Sequence, residues 1–552
     1  MFYMKTKRFL VLLLAFSLVF SLAACGGGAE DVDAGFEMSI CIASEPQTID
    51  PALNSSVDGA IMIQHMFEGL MKWKDDGEGN AVLTEGQAES YEISEDGLVY
   101  TFKLREDAAW ADGQPVTAQD FVYSWQRLVT PETAADYNYM IDPVVNANEI
   151  MAGEVDPSEL GIVALDDSTV EITLHTATPY FMEICAFPAA YPVRQDMIEA
   201  GGDQWTFDIA TYMGNGPYKM SEWQHNSFIK MIPSETYYDV ANLGPASIKF
   251  ALMDDDNAKL AAFNSGELLF IENPPTDEIP TLLESGELTV ADYIGTYYVC
   301  FNNSLAPFDN KLVREAFSLV IDRDYITKQI SGTGEVPAAG YVPAGINDAA
   351  GPGSDDFRTV GGDFYSVDPA DYQANCDKAR ELLAEAGYAD GKGFPIVEYL
   401  YNTTDLHRAV GEALQNMWQT ELGVTVTLNN QDWGVFLETR KNGEYSIARN
   451  GWIADYNDPA SFLDMWVTGG GNNDAQYKNS TFDALVTKFK TSADPVERFA
   501  TMHEAEDIFV NQDKAVAPIF FYTQPYMIND KVDGMFYTPL GYFFFMYTSE
   551  AK

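Results

Sequence analysis

Strand-like and helix-like segments alternate between residues 396 and 450, and this order constrains the fold more than any other feature of the chain. The pattern predicts strands over 396–401, 424–428 and 447–450 and helices over 406–422 and 433–440. Such a β-α-β-α-β order favours an α/β unit with a parallel or mixed sheet and helices on its faces. Ligands of such sheets bind in loops beyond the strand ends. His407 and Asp455 both lie at predicted strand ends.

The stretch after the last of these strands combines an acidic residue with aromatic neighbours. Asp455 stands between Trp452 and Tyr456, and Gly451 lies just upstream. A carboxylate in an apolar pocket is a natural receptor for an ammonium group, because a low local dielectric strengthens the pairing. Gly451, which lacks a Cβ, allows a guest to approach the backbone closely.

A structural interpretation of the same stretch stays open on residue types alone. Asp458 and Pro459 are typical of a helix start, with Asp458 as N-cap and Pro459 at the first helical position. Most aspartates near helix starts are caps, and most tryptophans pack in the core.

The first residues are typical of a secretion signal. Basic residues at 5, 7 and 8 precede an apolar run over 9–22, which is short for a membrane span. Leu22-Ala23-Ala24-Cys25 follows, and then a glycine-rich acidic segment typical of a flexible tether. We therefore predict a signal peptide over 1–24. The alternative is an ordinary secreted protein in which Cys25 occurs by chance.

The charge of the chain excludes several classes of partner. Its formal net charge is −52, while 46% of its residues are hydrophobic and 13% aromatic. Such a chain can bury large cores, so the acidity is a property of the surface. A surface of this sign repels nucleic acid and anionic membranes. The length allows two or three domains.

Catalytic and metal-binding motifs are missing from the sequence. The chain has five histidines and no H-E-x-x-H or G-x-S-x-G motif, and Gly391-Lys392-Gly393 is not followed by the Ser or Thr of a P-loop. The cysteines are scattered, so a zinc or redox site is not expected and no disulfide is forced by the spacing. We predict a protein that is not an enzyme, with no catalytic residue, cofactor or metal.

Several local signals predict further elements. Thr117 is the expected N-cap of a helix that reaches about Leu128, and a helical pattern covers 62–70. A strand-helix-strand unit is predicted over 248–271, with Asp256 or Asn257 as N-cap and Gly266 as the stop.

Two motifs resemble those of one known family. Arg449-x-Gly451-Trp452-x-Ala454-Asp455-Tyr456 is similar to the signature of the oligopeptide-binding proteins that serve ABC importers, within the bacterial extracellular solute-binding proteins of family 5. The block W-x-D-G-x-P-V-T-A-x-D-F over 110–121 resembles a hallmark of the wider family. That block is structural in the family, so it points to the family and not to a ligand.

The resemblance implies a set of binding residues. Asp455 would hold the α-amino group of a peptide, while Arg449 or His407 would meet its carboxylate. Backbone near Val57 and Gly451 would pair with the peptide main chain. The expected site residues are Val57, His407, Trp433, Arg449, Gly451, Trp452, Asp455 and Tyr522. An acidic residue common near Val57 in the family is missing here, where Ser55 stands. Tyr137 and Tyr139 are predicted to pack in the core, with a place in the cleft as the alternative.

The resemblance also implies the architecture, a periplasmic-binding-protein-like fold of two α/β lobes with a hinge and a third, small α+β domain. The expected bounds are residues 25–35 for the lipid anchor and tether, 36–66, 191–291 and 523–552 for lobe I, 67–190 for the small domain, and 292–522 for lobe II. The chain would cross between the lobes near Asp292 and Thr523.

The implied protein is a monomeric lipoprotein, anchored through Cys25 on the outer face of the cell membrane. It would capture short peptides and deliver them to the permease and ATPases of an ABC transporter, with no nucleic acid partner and no membrane contact besides the anchor. The alternatives are a receptor of the same fold for dipeptides, nickel chelates or oligosaccharides, a peptide-signal sensor and, from another class, a secreted hydrolase.

Overall fold

The computed structural model of the chain describes residues 35–77, 80–348 and 355–552. The predicted signal peptide, Cys25 and nearly all of the tether therefore lie outside the described residues. The strands are β1 Glu37–Cys41, β2 Met71–Asp75, β3 Ala81–Glu85, β4 Ala88–Ile93, β5 Val99–Leu104, β6 Ile162–Asp166, β7 Thr169–Thr173, β8 Tyr218–Gln224, β9 Phe228–Pro233, β10 Ser247–Ala251, β11 Phe270–Glu272, β12 Thr289–Phe301, β13 Val336–Pro337, β14 Val397–Asn402, β15 Val426–Gln431, β16 Ile447–Ile453, β17 Val516–Ile528, β18 Val532–Asp533, β19 Phe536–Tyr537, β20 Phe543–Phe544 and β21 Ser549–Glu550.

Helices cover the faces of the sheets. They are α1 Val57–Met66, α2 Ala118–Val129, α3 Ala147–Met151, α4 Phe181–Ile184, α5 Gln195–Gly201, α6 Asp256–Ser265, α7 Ile279–Ser285, α8 Lys311–Leu319, α9 Arg323–Tyr325, α10 Phe357–Gly361, α11 Tyr372–Glu385, α12 Asp405–Leu422, α13 Trp433–Lys441, α14 Ala460–Leu463, α15 Ser480–Thr491 and α16 Pro495–Glu506. Two π-helical segments, Ile326–Ser331 and Asp507–Gln512, follow α9 and α16.

One mixed sheet runs through both lobes. Its strand order is β15-β14-β16-β12-β17-β11-β1-β10-β9-β8, and β13 pairs with β17 to one side. The long strands β12 and β17 belong to both lobes, because the first half of β12 and the second half of β17 join lobe I while the other halves join lobe II. The two lobes are therefore connected by paired strands and not by a free linker.

The pairing of β12 with β17 is interrupted where the lobes meet. Asp292 pairs with Thr523, and the next pair is Thr296 with Phe521, so three residues of β12 stand opposite Tyr522. A bulge of this kind bends a strand and increases its twist. The interruption lies at the two positions where the crossings were predicted, while the domain bounds themselves stay a prediction.

Lobe II has the predicted α/β order. Strands β14 and β15 are parallel, and so are β14 and β16. The helix α12 covers the predicted span almost completely, and the Thr404 hydroxyl caps it by accepting from the His407 N–H at 3.0 Å. Its apolar face, with Trp418 fully buried, packs in the lobe II core. The α/β fold class with parallel strands in this part of the chain is confirmed.

The small domain is built on antiparallel strands. Its four-stranded sheet has the order β4-β5-β7-β6, and α2 packs against β6 and β7. Thr117 starts α2 in a capping box with Asp120, whose carboxylate accepts from the Thr117 N–H at 2.8 Å. The predicted N-cap of this helix is confirmed.

Three local predictions differ from the structure. The first helix is α1, which begins at Val57 and ends at Met66, because Ser56 supplies a cap by accepting from the Gly59 N–H. Asp255, not Asp256 or Asn257, caps α6, while Gly266 ends that helix with a φ of 80° as predicted. Asp458 does accept from the Ala460 N–H at 2.9 Å, but α14 begins only after Pro459.

The C-terminal aromatic run over 542–545 packs onto lobe I. Phe545 lies against Phe250, Phe270 and the ring of His65. The four cysteines within the described ranges are buried and unpaired. None of the described helices is both long and apolar enough to cross a membrane.

An ion pair ties the small domain to lobe I. Both carboxylate oxygens of Asp50 accept from Arg127 at the end of α2, at 2.9 and 2.6 Å, and Asp50 also accepts from the Trp205 indole. The Asp50 side chain is only 3% exposed. We expect Asp50→Ala to lower the free energy of unfolding by about 3–5 kcal/mol, since it leaves Arg127 without its partner in a buried setting. Urea unfolding followed by tryptophan fluorescence measures this.

The matched control is Glu381→Ala, which removes an acidic residue of α11 from an exposed pair with Lys378. Exposed pairs contribute little, so this variant should unfold like the parent chain. Equal midpoints for the two variants would show that the Asp50 pair does not join the domains.

Candidate functional site

A cavity lies where lobe I, lobe II and the small domain meet. The volume of this cavity is about 310 Å³. All eight residues singled out in the sequence line this cavity, although the most distant of them in the chain are Val57 and Tyr522. The structure thus brings the predicted residues together, while the role of each stays a prediction.

Asp455 lies two residues beyond the end of β16 and is 7% exposed. Its Oδ1 accepts from the Tyr137 hydroxyl at 2.8 Å, and its Oδ2 accepts from the Ser461 hydroxyl at 3.1 Å. The Asp455 N–H in turn donates to the Ser461 oxygen at 2.8 Å, which fixes the loop.

Burial dominates the electrostatics of Asp455. It raises the pKa of this carboxyl well above the usual range, the bonds from Tyr137 and Ser461 oppose the rise, and the charge of Asp464 adds to it. No lysine, arginine or histidine within the described ranges forms an ion pair with Asp455. A buried carboxyl in this state gains most from a ligand that brings its own positive charge.

Tyr137 packs in the core, as predicted, and it also lines the cavity, which was the alternative. It belongs to the small domain, yet its hydroxyl reaches Asp455 of lobe II, and its ring lies 6.1 Å from that of Trp452. The tyrosine is 318 residues away from Asp455 in the chain, so no local pattern joins the two. Trp452 is itself anchored, because its indole N–H donates to the Ser461 carbonyl at 2.7 Å.

Arg449 and His407 contact each other at another part of the cavity. The guanidinium donates to His407 Nε2 from Nε at 3.1 Å and from Nη2 at 2.7 Å, and the Tyr297 hydroxyl lies 3.3 Å from Nδ1. Burial and the charge of Arg449 lower the pKa of His407 well below its usual value. The imidazole is therefore neutral and accepts from Arg449, so it orients the guanidinium.

Arg449 carries a positive charge into an aromatic setting. Its guanidinium carbon lies 5.6 Å from the ring centre of Tyr297 and 5.8 Å from those of Trp433 and Phe436. None of the ion pairs in the described part of the chain includes Arg449. This side chain is free to receive an anion from the cavity.

Packing favours a glycine at position 451, in addition to the predicted binding role of Gly451. A Cβ at this position would lie 2.3 Å from the Tyr522 hydroxyl. Tyr522 therefore occupies the space that the missing side chain leaves, and its ring lies 5.6 Å from that of Tyr293 and 5.9 Å from that of Tyr297, tilted to both. The close approach expected of a guest is made here by a residue of the same chain.

One edge of β16 is open beside Gly451. Strand β14 pairs with β16 only as far as Ala448, whereas β12 pairs along the whole of its other side. The Ala454 N–H donates to Ile294 of β12. Backbone groups of successive residues point to opposite sides of a strand in an antiparallel ladder, so the backbone N–H and C=O groups of Gly451 and Ile453 point to the open side. The Gly451 N–H is met there by the Asn450 side chain at 2.8 Å.

Val57 and Trp433 lie on opposite sides of the cleft. Val57 is the first residue of α1 and does not belong to a strand. The prediction that its backbone pairs with the peptide like a strand is therefore not supported at this residue. The residue before it, Ser56, has an extended backbone. Trp433 begins α13 in lobe II, and its indole N–H donates to Asp58 of lobe I at 3.3 Å. This bond bridges the two lobes.

The chemistry of the site is that of binding. The cavity joins a carboxyl without a cation, a guanidinium without an anion, an open strand edge and several aromatic walls. Within the described ranges, no group of three or more His, Cys, Asp or Glu side chains is arranged to hold a metal ion.

Known proteins share this architecture along nearly the whole chain. Residues 83–474 match the family model described as bacterial extracellular solute-binding proteins, family 5 Middle. The periplasmic oligopeptide-binding protein OppA of Salmonella typhimurium is 35% identical over 524 residues, which cover 93% of each chain. The crystal structure of Haemophilus influenzae OppA with the peptide RPPGFSPFR superposes with a TM-score of 0.88 at 30% identity, and covers 94% of this chain and 99% of that one.

Fold and cavity together define a two-lobed solute-binding protein. The chain belongs to the bacterial extracellular solute-binding proteins of family 5. The resemblance noted in the sequence and the periplasmic-binding-protein-like fold are thereby confirmed. Its relatives are substrate-binding proteins and not enzymes.

The structure describes a closed cleft. The TM-score is 0.59 against the unliganded open form of the murein tripeptide-binding protein MppA, also 30% identical, compared with 0.88 against the peptide complex. Besides the Trp433–Asp58 bond, the Asp405 N–H at the start of α12 donates to Asp256 of lobe I at 2.8 Å, and Lys441 pairs with Asp136 of the small domain at 2.9 Å.

The packing of Gly451 against Tyr522 generates a prediction about stability. Gly451→Ala should lower the free energy of unfolding by about 1–3 kcal/mol, because the new methyl group overpacks the site. Adding Tyr522→Phe removes the hydroxyl nearest to that methyl group and should recover part of the loss. Thermal unfolding of the two single variants and the double variant measures the coupling. Additive effects of the two changes would show that the residues are not in conflict.

Proposed function

We propose that this protein captures short oligopeptides in the closing cleft and delivers them to an ABC importer. The observation that carries the proposal is Asp455, a buried carboxyl at the cavity wall that has no cation of its own. The α-ammonium group of a peptide supplies that cation. The 35% identity to an oligopeptide-binding protein supports the same substrate class.

The amino end of the peptide is held by groups from two domains. Asp455 pairs with the ammonium, while Tyr137 and Ser461 already donate to its two oxygens and hold the carboxylate in place. Because Tyr137 belongs to the small domain, this pocket is complete only when the cleft is closed. Closure and recognition of the amino group are thus one event.

The carboxyl end of the peptide meets Arg449. The neutral His407 accepts two bonds from the guanidinium and keeps it directed, and the aromatic rings around it exclude water. A half-buried arginine with an oriented fork is well suited to a carboxylate. His407 meets the carboxylate directly only if a peptide of another length displaces Arg449 from Nε2.

Backbone pairing joins the two ends. Polar groups of β16 beside Gly451 face the open edge, where an extended peptide can add as a strand and gain affinity without readout of its side chains. Arg449 and Asp455 are six residues apart in a largely extended segment, about 20 Å at the usual rise per residue. That separation suits a peptide of about four to six residues, given the reach of the arginine side chain.

The remaining steps take place outside the cytoplasm and involve no chemistry on the peptide. The signal over 1–24 is removed, and Cys25 carries the lipid anchor. The tethered monomer binds peptide from solution and carries it to the transporter. The ATPases of the importer supply the work.

Removal of the Asp455 carboxylate tests the amino-end pocket. We expect Asp455→Ala to weaken binding of an Ala-based pentapeptide by two to four decades, since loss of one partner of a buried ion pair costs roughly 3–5 kcal/mol. Calorimetry with the chain begun after Cys25 measures the affinity. Acetylation of the peptide amino group should weaken binding to the parent protein by a similar factor.

The control for this test is Glu381→Ala, which removes an exposed acidic residue that does not line the cavity. It should bind as the parent does. A change below about threefold for Asp455→Ala, or equal binding of acetylated peptides, would contradict the assignment.

The carboxyl-end assignment predicts a separate pattern. Arg449→Met should weaken binding of a peptide with a free carboxylate by at least tenfold, because the variant keeps an unbranched apolar stem but loses the charged guanidinium that donates to the carboxylate. The same peptide with a C-terminal amide should bind the variant and the parent protein with nearly equal affinity. If Arg449→Met weakens both peptides to the same extent, the guanidinium does not receive the carboxylate.

A further inference from the structure

The charges that line the cavity do not balance. Three carboxylates have cations of their own, and these pairs are Asp136 with Lys441, Asp256 with Lys259 and Asp474 with Arg440. The proposed function assigns Asp455 and Arg449 to the two ends of a peptide. The acidic lining residues without an ion pair among the described residues are then Asp58, Asp254, Glu272 and Glu335.

Two of these four are set apart by their surroundings. Asp254 is exposed at the rim, where solvent screens it. Glu335 is satisfied in part by the N–H and the hydroxyl of Thr333, at 3.1 and 2.6 Å. Asp58 and Glu272 are left as the carboxylates that the cavity itself must accommodate.

Asp58 is buried with one oxygen unsatisfied. It lies in the first turn of α1 and is 9% exposed. Its Oδ1 accepts from Trp433, while Oδ2 has no hydrogen-bond partner. A buried polar atom without a partner destabilises the state that contains it. Opening of the cleft breaks the Trp433 bond and presents this carboxylate to a ligand.

Glu272 lies on the same wall of lobe I, at the end of β11. The nearest cation, Lys259, is held by Asp256 at 2.6 Å and gives the main chain of Glu272 a bond at 3.3 Å. Burial raises the pKa of the Glu272 carboxyl to about 8, the charge of Lys259 and a hydrogen bond with the Gln524 side chain lower it, and the charge of Asp58 adds to the rise.

Tyr293 is a residue of the cavity wall on which the charges of both carboxylates act. It stands in the bulge of β12, lines the cavity and packs against Tyr522 at 5.6 Å. The pKa of Tyr293 is raised by burial and then by the charges of Glu272 and Asp58, while Arg449 lowers it. Asp58, Glu272 and Tyr293 all line the same cavity, and both carboxylates belong to its lobe I side.

We infer that Asp58 and Glu272 form a side-chain pocket that selects peptides carrying a lysine or arginine. The inference rests on the proposed function and names its substrate class. A cationic side chain supplies the hydrogen-bond donors that Asp58 Oδ2 lacks and the counter-charge that neither carboxylate has. Peptides with neutral side chains leave both acidic groups in the closed cleft without compensation.

The pocket couples binding to proton release. With a pKa of about 8 in the empty cleft, Glu272 is largely protonated at pH 7 and must lose its proton to pair with a cation. The advantage of lysine over an uncharged side chain of similar shape therefore grows as the pH rises through about 8. A side chain without charge has no such dependence.

Other charged and titratable groups pack near Glu272. Asp256 and Lys259 on α6 are paired with each other, and burial raises the pKa of Cys41 on β1 to about 11. Burial likewise raises the pKa of Tyr293 on β12 and of Tyr537 on β19 above the ordinary tyrosine value. The remaining acidic neighbour is Asp58 on α1, which belongs to the same pocket.

The test uses a lysine scan of penta-alanine, with norleucine at the same positions as the uncharged match. We expect lysine to bind at least tenfold more tightly than norleucine at one position, in line with the usual strength of bonds to charged groups. Calorimetry in two buffers of different ionisation enthalpy should show proton release with the lysine peptide in excess of that with its norleucine match. The lysine-to-norleucine ratio should rise between pH 6 and pH 9.

Variants locate the effect. Glu272→Gln keeps the shape of the side chain and should bring the ratio close to one and abolish its pH dependence. Asp58→Asn is the second, independent variant and should also lower the ratio. The matched control is Asp254→Asn at the rim, which should keep the ratio of the parent protein.

The outcomes separate the two proposals. If penta-alanine and its derivatives do not bind, the proposed function fails and the pocket fails with it. If penta-alanine binds but lysine has no advantage over norleucine at any position, only the pocket is wrong. The same conclusion follows if a peptide with glutamate in place of lysine binds more tightly. A ratio that survives in both Glu272→Gln and Asp58→Asn overturns the assignment of these residues.

Discussion

The pairing of two long strands is the constraint on which the rest of the structure depends. β12 and β17 each run through both lobes, and their backbone groups must stay hydrogen-bonded because unpaired groups are costly when buried. The bulge opposite Tyr522 interrupts the ladder at the one level where the lobes meet. The strands can bend there without loss of the pairing on either side, so the cleft can open while each lobe keeps its own core.

A second theme is that the cleft collects buried groups whose partners are incomplete. Asp455 has hydrogen-bond donors but no cation, Arg449 has a neutral imidazole but no anion, and Asp58 has one oxygen without a donor. Each of these groups costs free energy in the closed, empty state. A ligand with complementary charges removes those costs, so the same groups that make the empty closed form less favourable make the liganded one specific.

The closed form is supported by contacts outside the ligand cavity. Lys490 of lobe II lies 2.8 Å from Asp142 of the small domain, and the rings of Tyr180 and Tyr456 stack at 4.0 Å. The Asn457 N–H also donates to Glu183 across this boundary at 3.0 Å. The small domain is thus a part of the closing surface and not only an addition to lobe I, which explains how Tyr137 comes to contact Asp455.

The sequence by itself determined the elements whose causes are local. Periodic apolar residues define α12, Thr117 caps α2, and the short motif around Asp455 carries the family resemblance, since each depends on residues that are neighbours in the chain. Only the tertiary structure decided which partners these residues have.

Tyr137 reaches Asp455, and Tyr522 fills the space beside Gly451, through contacts between distant parts of the chain. The neutral state of His407 likewise follows from its burial beside Arg449. Side-chain contacts over such separations leave no periodicity in the sequence, and the charge state of a buried group depends on everything that surrounds it.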